Sequence, residues 1–396
     1  MKVLVSGASV AGPSVALWLG WAGHDVTVVE IAPALRRGGY AVDFRGEVFT
    51  TVLDRMGVLS DLRSVQTGGS GMRFVDALGR KLMRLPPEFS GGELEVLRAD
   101  LSRVLYEHSR AQATYRFGDS IAELREHADG VDVRFESGVE DTYDLVIGAD
   151  GMHSVVRRLA WPQERVVERH LNYYVGGWEV PNTLGISGSD SLLYNVPGKL
   201  ASVGADRRDP GLAQTLFVFK SPELTYNRRD LDQQKAILRE QFTGLGWHVP
   251  ELLKGLPAAT ELYFDSISRV SVDRWSTDRI VLLGDAGYGA TFGALGTGTA
   301  VVGAYVLAGE LARAGGDFRA AFGRYEARLR KSVTTTQDGS RAGSFLAPAT
   351  RFGLTARNRI LDIPFFNNQM IRMAQKMSEL IELPDYSMKE GKPVQE

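Results

Sequence analysis

The residues of this chain best suited to chemistry are glycines and a few well-spaced acids, not nucleophiles. Gly7-Ala8-Ser9-Val10-Ala11-Gly12 follows a short β-branched run and opens an apolar helical stretch, and Glu30 stands 18 residues after Gly12 at the end of a second apolar run. Backbone N–H groups at such a turn and helix N-terminus hold a pyrophosphate, and a carboxylate at the later position binds both hydroxyls of an adenosine ribose. Ser9 stands where a second glycine is usual; its small side chain still permits close approach, and Gly12 keeps the helix tight on the strand. An acid at Glu30 disfavours a 2′-phosphate, so the pattern points to FAD or NAD rather than NADP. No second fingerprint of this kind follows a strand. One dinucleotide therefore has a dedicated nest and any other must bind transiently, which favours a flavin.

Other chemistries lack their residues. There is no cysteine among the 396 residues, which removes disulfides, thiolate nucleophiles, iron–sulfur clusters and Cys-type zinc sites. The six histidines show no metal-ligand pairing, and no serine sits in a nucleophile elbow. Forty-six basic against 48 acidic residues leave a net charge of −2, so no global field draws nucleic acid. The longest apolar stretch, Thr299–Leu307, is too short to span a bilayer and no signal-peptide core fits the first residues. These features give the expectation of a cytoplasmic protein with no integral membrane segment. The 44 glycines exceed the average share of about 7% and cluster, as backbone-lined ligand loops require.

The elements that must position these residues are legible in outline. The opening KVLVSGASVAGPSVALWLGWAGHDVTVVE reads as a βαβ unit with a helix to about Trp21 and a strand over Asp25–Glu30. From about Ile121 to Ile147 short alternating runs predict hairpins leading to a buried strand. Between Leu171 and Arg269, NYYVGGWEV, SLLYNV and TLFVFK are aromatic-rich strand candidates, with a helix around Asp230–Thr243 and another strand at Glu261–Ser268. RIVLLGDAG from Arg279 restores the buried-strand pattern, followed by a glycine-rich loop and a helix from about Gly296 to Ala314. The expected fold class is α/β: a discontinuous Rossmann-like dinucleotide-binding domain (1–71, 87–170 and 270–317), an inserted, mainly antiparallel-sheet substrate domain (72–86 and 171–269), and a C-terminal helical segment (318–396) broken at Pro348 and Pro364.

Two further stretches carry a family resemblance. DLVIGADGMHSVVRR, Asp144–Arg158, and RIVLLGDAGYGATFGALGTGTAVVGAYVLAGEL, Arg279–Leu311, join the first motif, an Arg-Gly-Gly element at Arg37–Gly39 and Arg98 within LRADL. Together they resemble the signatures of single-component FAD-dependent aromatic monooxygenases of the para-hydroxybenzoate hydroxylase fold, a group that includes polyketide hydroxylases and tetracycline-inactivating monooxygenases. The resemblance spans nearly the whole chain. It implies a noncovalent FAD held by Gly7, Ser9, Ala11, Gly12 and Glu30, with Arg37, Gly39 and Arg98 contacting the cofactor. It places Asp150 and Gly151 beside the pyrophosphate and the approach path of the nicotinamide nucleotide, with Ser154 and Arg157 holding that loop. Gly284 and Asp285 would meet the ribityl or pyrophosphate side of the flavin. Gly296 and Gly298 would let the helix N-terminus approach the ring and stabilise the charge of reduced flavin. Many relatives have a His after the GDA-Ala pair and a Pro a few residues on; here Tyr288 and a glycine-rich stretch stand instead.

The implied reaction is an NAD(P)H- and O2-dependent hydroxylation of an aromatic or polycyclic small molecule, such as a polyketide, through a flavin C4a-hydroperoxide, with NADH or NADPH as transient reductant. No side-chain nucleophile is then needed, and no catalytic residue is assigned. A redox-neutral cyclase or isomerase that uses FAD as scaffold is the alternative. In such a fold the substrate lies between the inserted sheet and the flavin, which makes Trp178, Tyr194, Phe217, Phe219 and Tyr263 pocket candidates, although core packing is the commoner fate of any one of them. Tyr288 and Phe292, on the loop after Asp285, are the expectation by location. His153 is a candidate to titrate near the cofactor.

Overall fold

The computed structural model describes residues 1–36, 38–186, 190–206, 209–291, 296–339, 342–378 and 380–386. Arg37 and Phe292 lie outside the described residues.

Short strands form the centre of the molecule. The strands Ile280–Leu282, Leu145–Gly148, Lys2–Ser6, Asp25–Glu30 and Ala113–Phe117 lie side by side in that order, all parallel. Sequences such as LVIG and IVL, with every residue buried, suit strands covered on both faces. Gly148 ends its strand where a Cβ would crowd Leu282 and Val156 at 2.9 Å. The helices Ala11–Trp21 and Gly296–Arg313 pack on each other beside this sheet, and residues 298–311 of the second are all buried. An antiparallel three-stranded sheet, Ile121–Glu126, Val131–Phe135 and Glu140–Tyr143, adds Val131, Val133, Phe135 and Tyr143 to the same core.

A larger sheet is built from two separated pieces of chain. Its order is Tyr263–Val272, Val166–Gly177, Leu212–Lys220, Lys199–Ala205, Asp190–Val196, Gly71–Val75 and Lys81–Leu85, with Glu179–Pro181 pairing to the side of Leu212–Lys220. All pairs are antiparallel except Asp190–Val196 with Gly71–Val75, which join the two pieces in parallel. One face carries Tyr174, Trp178, Tyr194, Phe217 and Phe219 and packs with Leu238, Phe242, Val249 and Leu252 of the helices Leu231–Phe242 and Val249–Gly255. Asp230 caps the first of these helices, accepting from Gln233 N at 2.9 Å. The other face carries Tyr173, Val175, Leu200, Val218 and Ile267 and receives Leu346 and Leu361 from the helices Ala342–Leu346 and Arg351–Leu361.

The C-terminal segment starts with the helix Phe318–Gly339 and ends with Pro364–Ser378, where Pro364 occupies the first helical position. The chain then returns to the parallel-sheet unit as a strap over residues 380–386. Tyr386 covers Gly309 and donates to Glu310 Oε1 at 2.7 Å, and Tyr305 Oη donates to Pro384 O at 3.0 Å. Glu310 is 1% exposed and also accepts from Arg324 at 2.6 Å and Arg328 at 2.8 Å, so its charge is buried only with three donors around it.

Candidate functional site

Three loops meet at the carboxyl ends of neighbouring parallel strands. At Gly7 the chain turns with φ +105°, a conformation open to glycine, and a Cβ there would lie 2.5 Å from Ala149 O. A Cβ on Gly12 would overlap Gly7 O, so the helix Ala11–Trp21 starts directly above the turn only because residue 12 is glycine. That helix has no side-chain cap and no acid in its first turn, which leaves the first N–H groups and the positive end of the dipole facing out. Glu30 is half-buried beside them. Its Oε2 accepts from Ala8 N at 2.8 Å and its Oε1 from Ala32 N at 2.9 Å, and each oxygen keeps a lone pair for a further donor. Ser9 Oγ lies 3.4 Å from Arg98 Nη2, and Ala11 begins the helix.

The second loop is held from within. The Asp150 carboxylate accepts from Val155 N at 2.8 Å, Val156 N at 3.1 Å, Ser6 Oγ at 3.3 Å and Ser154 Oγ, while burial pushes its pKa up against those bonds. It thus ties the 150–154 loop to the end of the first strand. Gly151 adopts φ +79° with open space beside it. Arg157 is 2% exposed and donates to Met152 O at 2.6 Å, Ala286 O at 2.7 Å and Glu168 Oε1 at 2.5 Å. Its guanidinium therefore fixes the second loop to the third.

In the third loop Gly284 turns with φ +66°, and a Cβ there would meet Ala300 Cβ at 3.1 Å and Ala11 Cβ at 3.3 Å, so the turn is wedged between two helices. Asp285 follows. Burial raises the pKa of its carboxyl, Arg98 opposes the rise, and Asp265 adds to it. Gly296, the first residue of its helix, would place a Cβ 3.8 Å from Asp285 Oδ1. Gly298 lies against the Phe49 ring, with a Cβ position 2.7 Å from it. Arg98 N donates to Tyr40 O at 3.1 Å, and Gly39, at φ +131°, lies against the Arg98 side chain.

Across from these loops stands the end of the large sheet. Tyr40 Oη donates to Thr215 O at 2.9 Å and its ring meets Tyr263 edge-on at 5.6 Å. Burial and the nearby carboxylates of Asp265 and Asp285 push the Tyr263 phenol up, opposed by Arg98. His153 Nε2 lies 3.1 Å from both oxygens of Asp265, and Arg228 Nη1 donates to His153 Nδ1. A cavity of about 460 Å³ beside this contact is lined by His153, Arg157, Arg158, Arg228 and Glu168.

Some candidates sit elsewhere. Tyr288 is buried in the core, 4.3 Å from Trp275 by ring centroids, and shares a hydrogen bond of 3.0 Å with Tyr325, so it does not line a pocket. Trp178, Tyr194, Phe217 and Phe219 face the covering helices on the side of the sheet away from Tyr40. Tyr263 alone of the five sheet aromatics meets the loop residues. Tyr40, Asp265 and Arg228 joined the site without a sequence signal of their own, beyond the position of Tyr40 directly after Gly38-Gly39. Among the described residues no cluster of acidic and histidine side chains is arranged to hold a metal.

The donor set fits a dinucleotide: an uncapped helix N-terminus over a cradle that a Cβ would fill, and a carboxylate beside it. Residues 1–205 match the family described as FAD binding domain. A flavin-dependent monooxygenase of Legionella longbeachae is 36% identical over 393 residues, 98% of each chain, and an uncharacterized protein of Mycobacterium tuberculosis is 39% identical over 343 residues, 85% of this chain and 91% of its own. The crystal structures of tetracycline destructases Tet(51) and Tet(55) each align with a TM-score of 0.83, at 32% and 34% identity, over 97% of this chain and 98% of theirs. HpxO of Klebsiella pneumoniae, solved with FAD and uric acid, shares the fold at a TM-score of 0.76 and 23% identity, over 97% of this chain and 98% of its own. With its parallel-sheet nest and these relatives along its whole length, the chain belongs to the FAD binding domain family and is a flavin-dependent monooxygenase.

Proposed function

We propose that the protein uses NADH or NADPH and O2 to hydroxylate an aromatic or polycyclic small molecule bound between the large sheet and a noncovalent FAD. In this reading residues 1–71, 87–170 and 270–317 form the FAD-binding domain, 72–86 and 171–269 the substrate domain, and 318–396 a C-terminal helical segment across both. The observation that carries it is the convergence of the three loops at the ends of adjacent strands, opposite the Tyr40–Tyr263 contact. Bound FAD would supply hydride acceptance and oxygen activation.

The chain's own residues do the rest. Gly7, Ser9, Ala11 and Gly12 offer backbone N–H groups to the pyrophosphate, and Glu30 takes the ribose hydroxyls with its remaining lone pairs. Arg98, 3.4 Å from Ser9 Oγ and close enough to Asp285 to lower its pKa, balances charge along the cofactor, with Gly39 against it, and Arg37 is a further cofactor-contacting candidate. Asp150 and Arg157 act through the backbone they hold, keeping Gly151, Gly284 and Asp285 in place. Gly296 and Gly298 set the start of a long helix next to Asp285, and its positive end would stabilise negative charge on a flavin held there. The cationic cavity beside His153, with Arg158 and Arg228, suits the phosphates of a transient nicotinamide nucleotide.

Tetracycline is the first substrate to try, given the names of the two tetracycline destructases that the chain resembles, followed by phenols and polycyclic polyketides. Purified holoenzyme should oxidise NADH or NADPH slowly alone and faster with at least one member of that panel. Product formed with neither reductant nor O2 consumed would overturn this reading in favour of redox-neutral catalysis.

A further inference from the structure

The C-terminal helices carry an apolar face that the reaction does not use. On Arg351–Leu361, Pro364–Ser378 and the break between them, Phe352, Ile360, Ile363, Phe365, Phe366 and Met370 are exposed, with Phe352 84% and Phe365 70% open to solvent. Phe352 and Ile360 lie on the first helix, Phe366 and Met370 lie one turn apart on the second, and Ile363 sits in the break between the two. Six exposed apolar side chains within 19 residues, Phe365 and Phe366 in ring contact, mark an interaction surface more than scattered single residues do.

The opposite sides of the same helices are fixed to the protein. Leu361 and Asn367 are buried, and Arg357 points inward, donating to Phe345 O at 2.9 Å, Leu346 O at 3.0 Å and Asn195 Oδ1 at 2.8 Å while lying over the Phe74 ring at 4.4 Å. These contacts fix which side of the first helix faces inward. Arg351, Arg359 and Arg372 are exposed on the same helices, Arg351 and Arg359 at the rim of a cavity against Phe74 and Leu82 of the large sheet, and among the described residues 351–378 the one acid is the exposed Asp362. Basic charge is thus concentrated here in a chain whose net charge is −2.

We propose that this face seats the protein on an anionic lipid surface, with the phenylalanines and isoleucines entering the headgroup–acyl boundary and the flanking arginines meeting lipid phosphates. Aromatic and aliphatic tips beside arginines form the pattern of an interfacial helix, which lies in the surface without crossing it. A second copy of the chain fits less well, because a twofold contact through the same face would set these arginines near their own mates. The proposal stands apart from the reaction assigned above.

The test is flotation of the full-length, FAD-loaded protein with vesicles of phosphatidylcholine alone and of phosphatidylcholine mixed with phosphatidylglycerol. The wild type should float with the mixed vesicles, less as salt is raised, and only weakly with the neutral ones. The double variant Phe352→Ser/Phe365→Ser should lose at least tenfold in partitioning, an effect in line with about 1.5–3 kcal/mol for burying each ring. Arg351→Glu/Arg359→Glu should lose about fivefold or more per arginine removed, as expected for basic residues near anionic lipid at ~1 kcal/mol each. FAD content and melting temperature report that both variants fold. Wild type that stays unbound, or binding indifferent to lipid charge and to both double variants, overturns the proposal. So does sedimentation as a dimer that Phe352→Ser/Phe365→Ser dissociates, since that result gives the face to a second copy.

Discussion

Glu30 serves two masters in this structure. Its carboxylate holds the backbone of Ala8 and Ala32 and presents its free lone pairs to a ribose. Glu30→Ala should therefore weaken FAD binding by about 1.5–3 kcal/mol, the range for hydrogen bonds to a charged acceptor, or roughly 10- to 150-fold in Kd by flavin fluorescence titration. Unchanged affinity would make Glu30 a structural tie only. Asp285 gives a prediction in pH. Burial and Asp265 raise its folded-state pKa above the unfolded value near about 3.9, despite Arg98. The stability this group contributes is full below that unfolded value and is lost as pH rises through the raised one. In the apoprotein, Asp285→Asn should melt higher than wild type at neutral pH, and the two curves should converge in acid. A difference independent of pH would show that the carboxyl is not held in its raised state by the junction.

At the scale of elements, the C-terminal strap closes the parallel-sheet unit. Tyr386 lies on Gly309 in the helix that starts at Gly296, and its hydroxyl completes the donor set of buried Glu310. Tyr386→Phe should cost about 1–3 kcal/mol of stability in urea unfolding, since the remaining arginines satisfy only part of a buried carboxylate. No loss would mean that Arg324 and Arg328 suffice. Much of this level was legible in sequence. The runs VLV, LVIG and IVL read as buried strands because short apolar segments followed by glycine-rich turns have few other solutions, and those turns are where close approach is forced. The sheet aromatics were less legible. Alternation tells which residues share a face, and Trp178, Phe217 and Phe219 do share one, but which face meets the flavin side depends on where Leu231–Phe242 and Val249–Gly255 dock. Tyr288 followed the loop in sequence and the core in space, because Trp275, Tyr325 and Gln337 close over it. The packing of Gly298 on Phe49 is another long-range contact with no local signature.

For the whole molecule the central claim is that two sheets, one parallel and one mostly antiparallel, bring an FAD nest and a substrate roof together for oxygen transfer. The Tyr40–Thr215 bond and the His153–Asp265 contact tie the two sheets across the site. Flavin content alone would test the nest. The reaction is tested most directly by isotope: FAD-loaded protein is given NADPH or NADH, labelled O2 and the panel member that most stimulates reductant oxidation, and the product is weighed by mass spectrometry. One labelled oxygen atom in the product, with the other recovered in water, is the predicted result. Product carrying no label, formed equally well without O2, would contradict it.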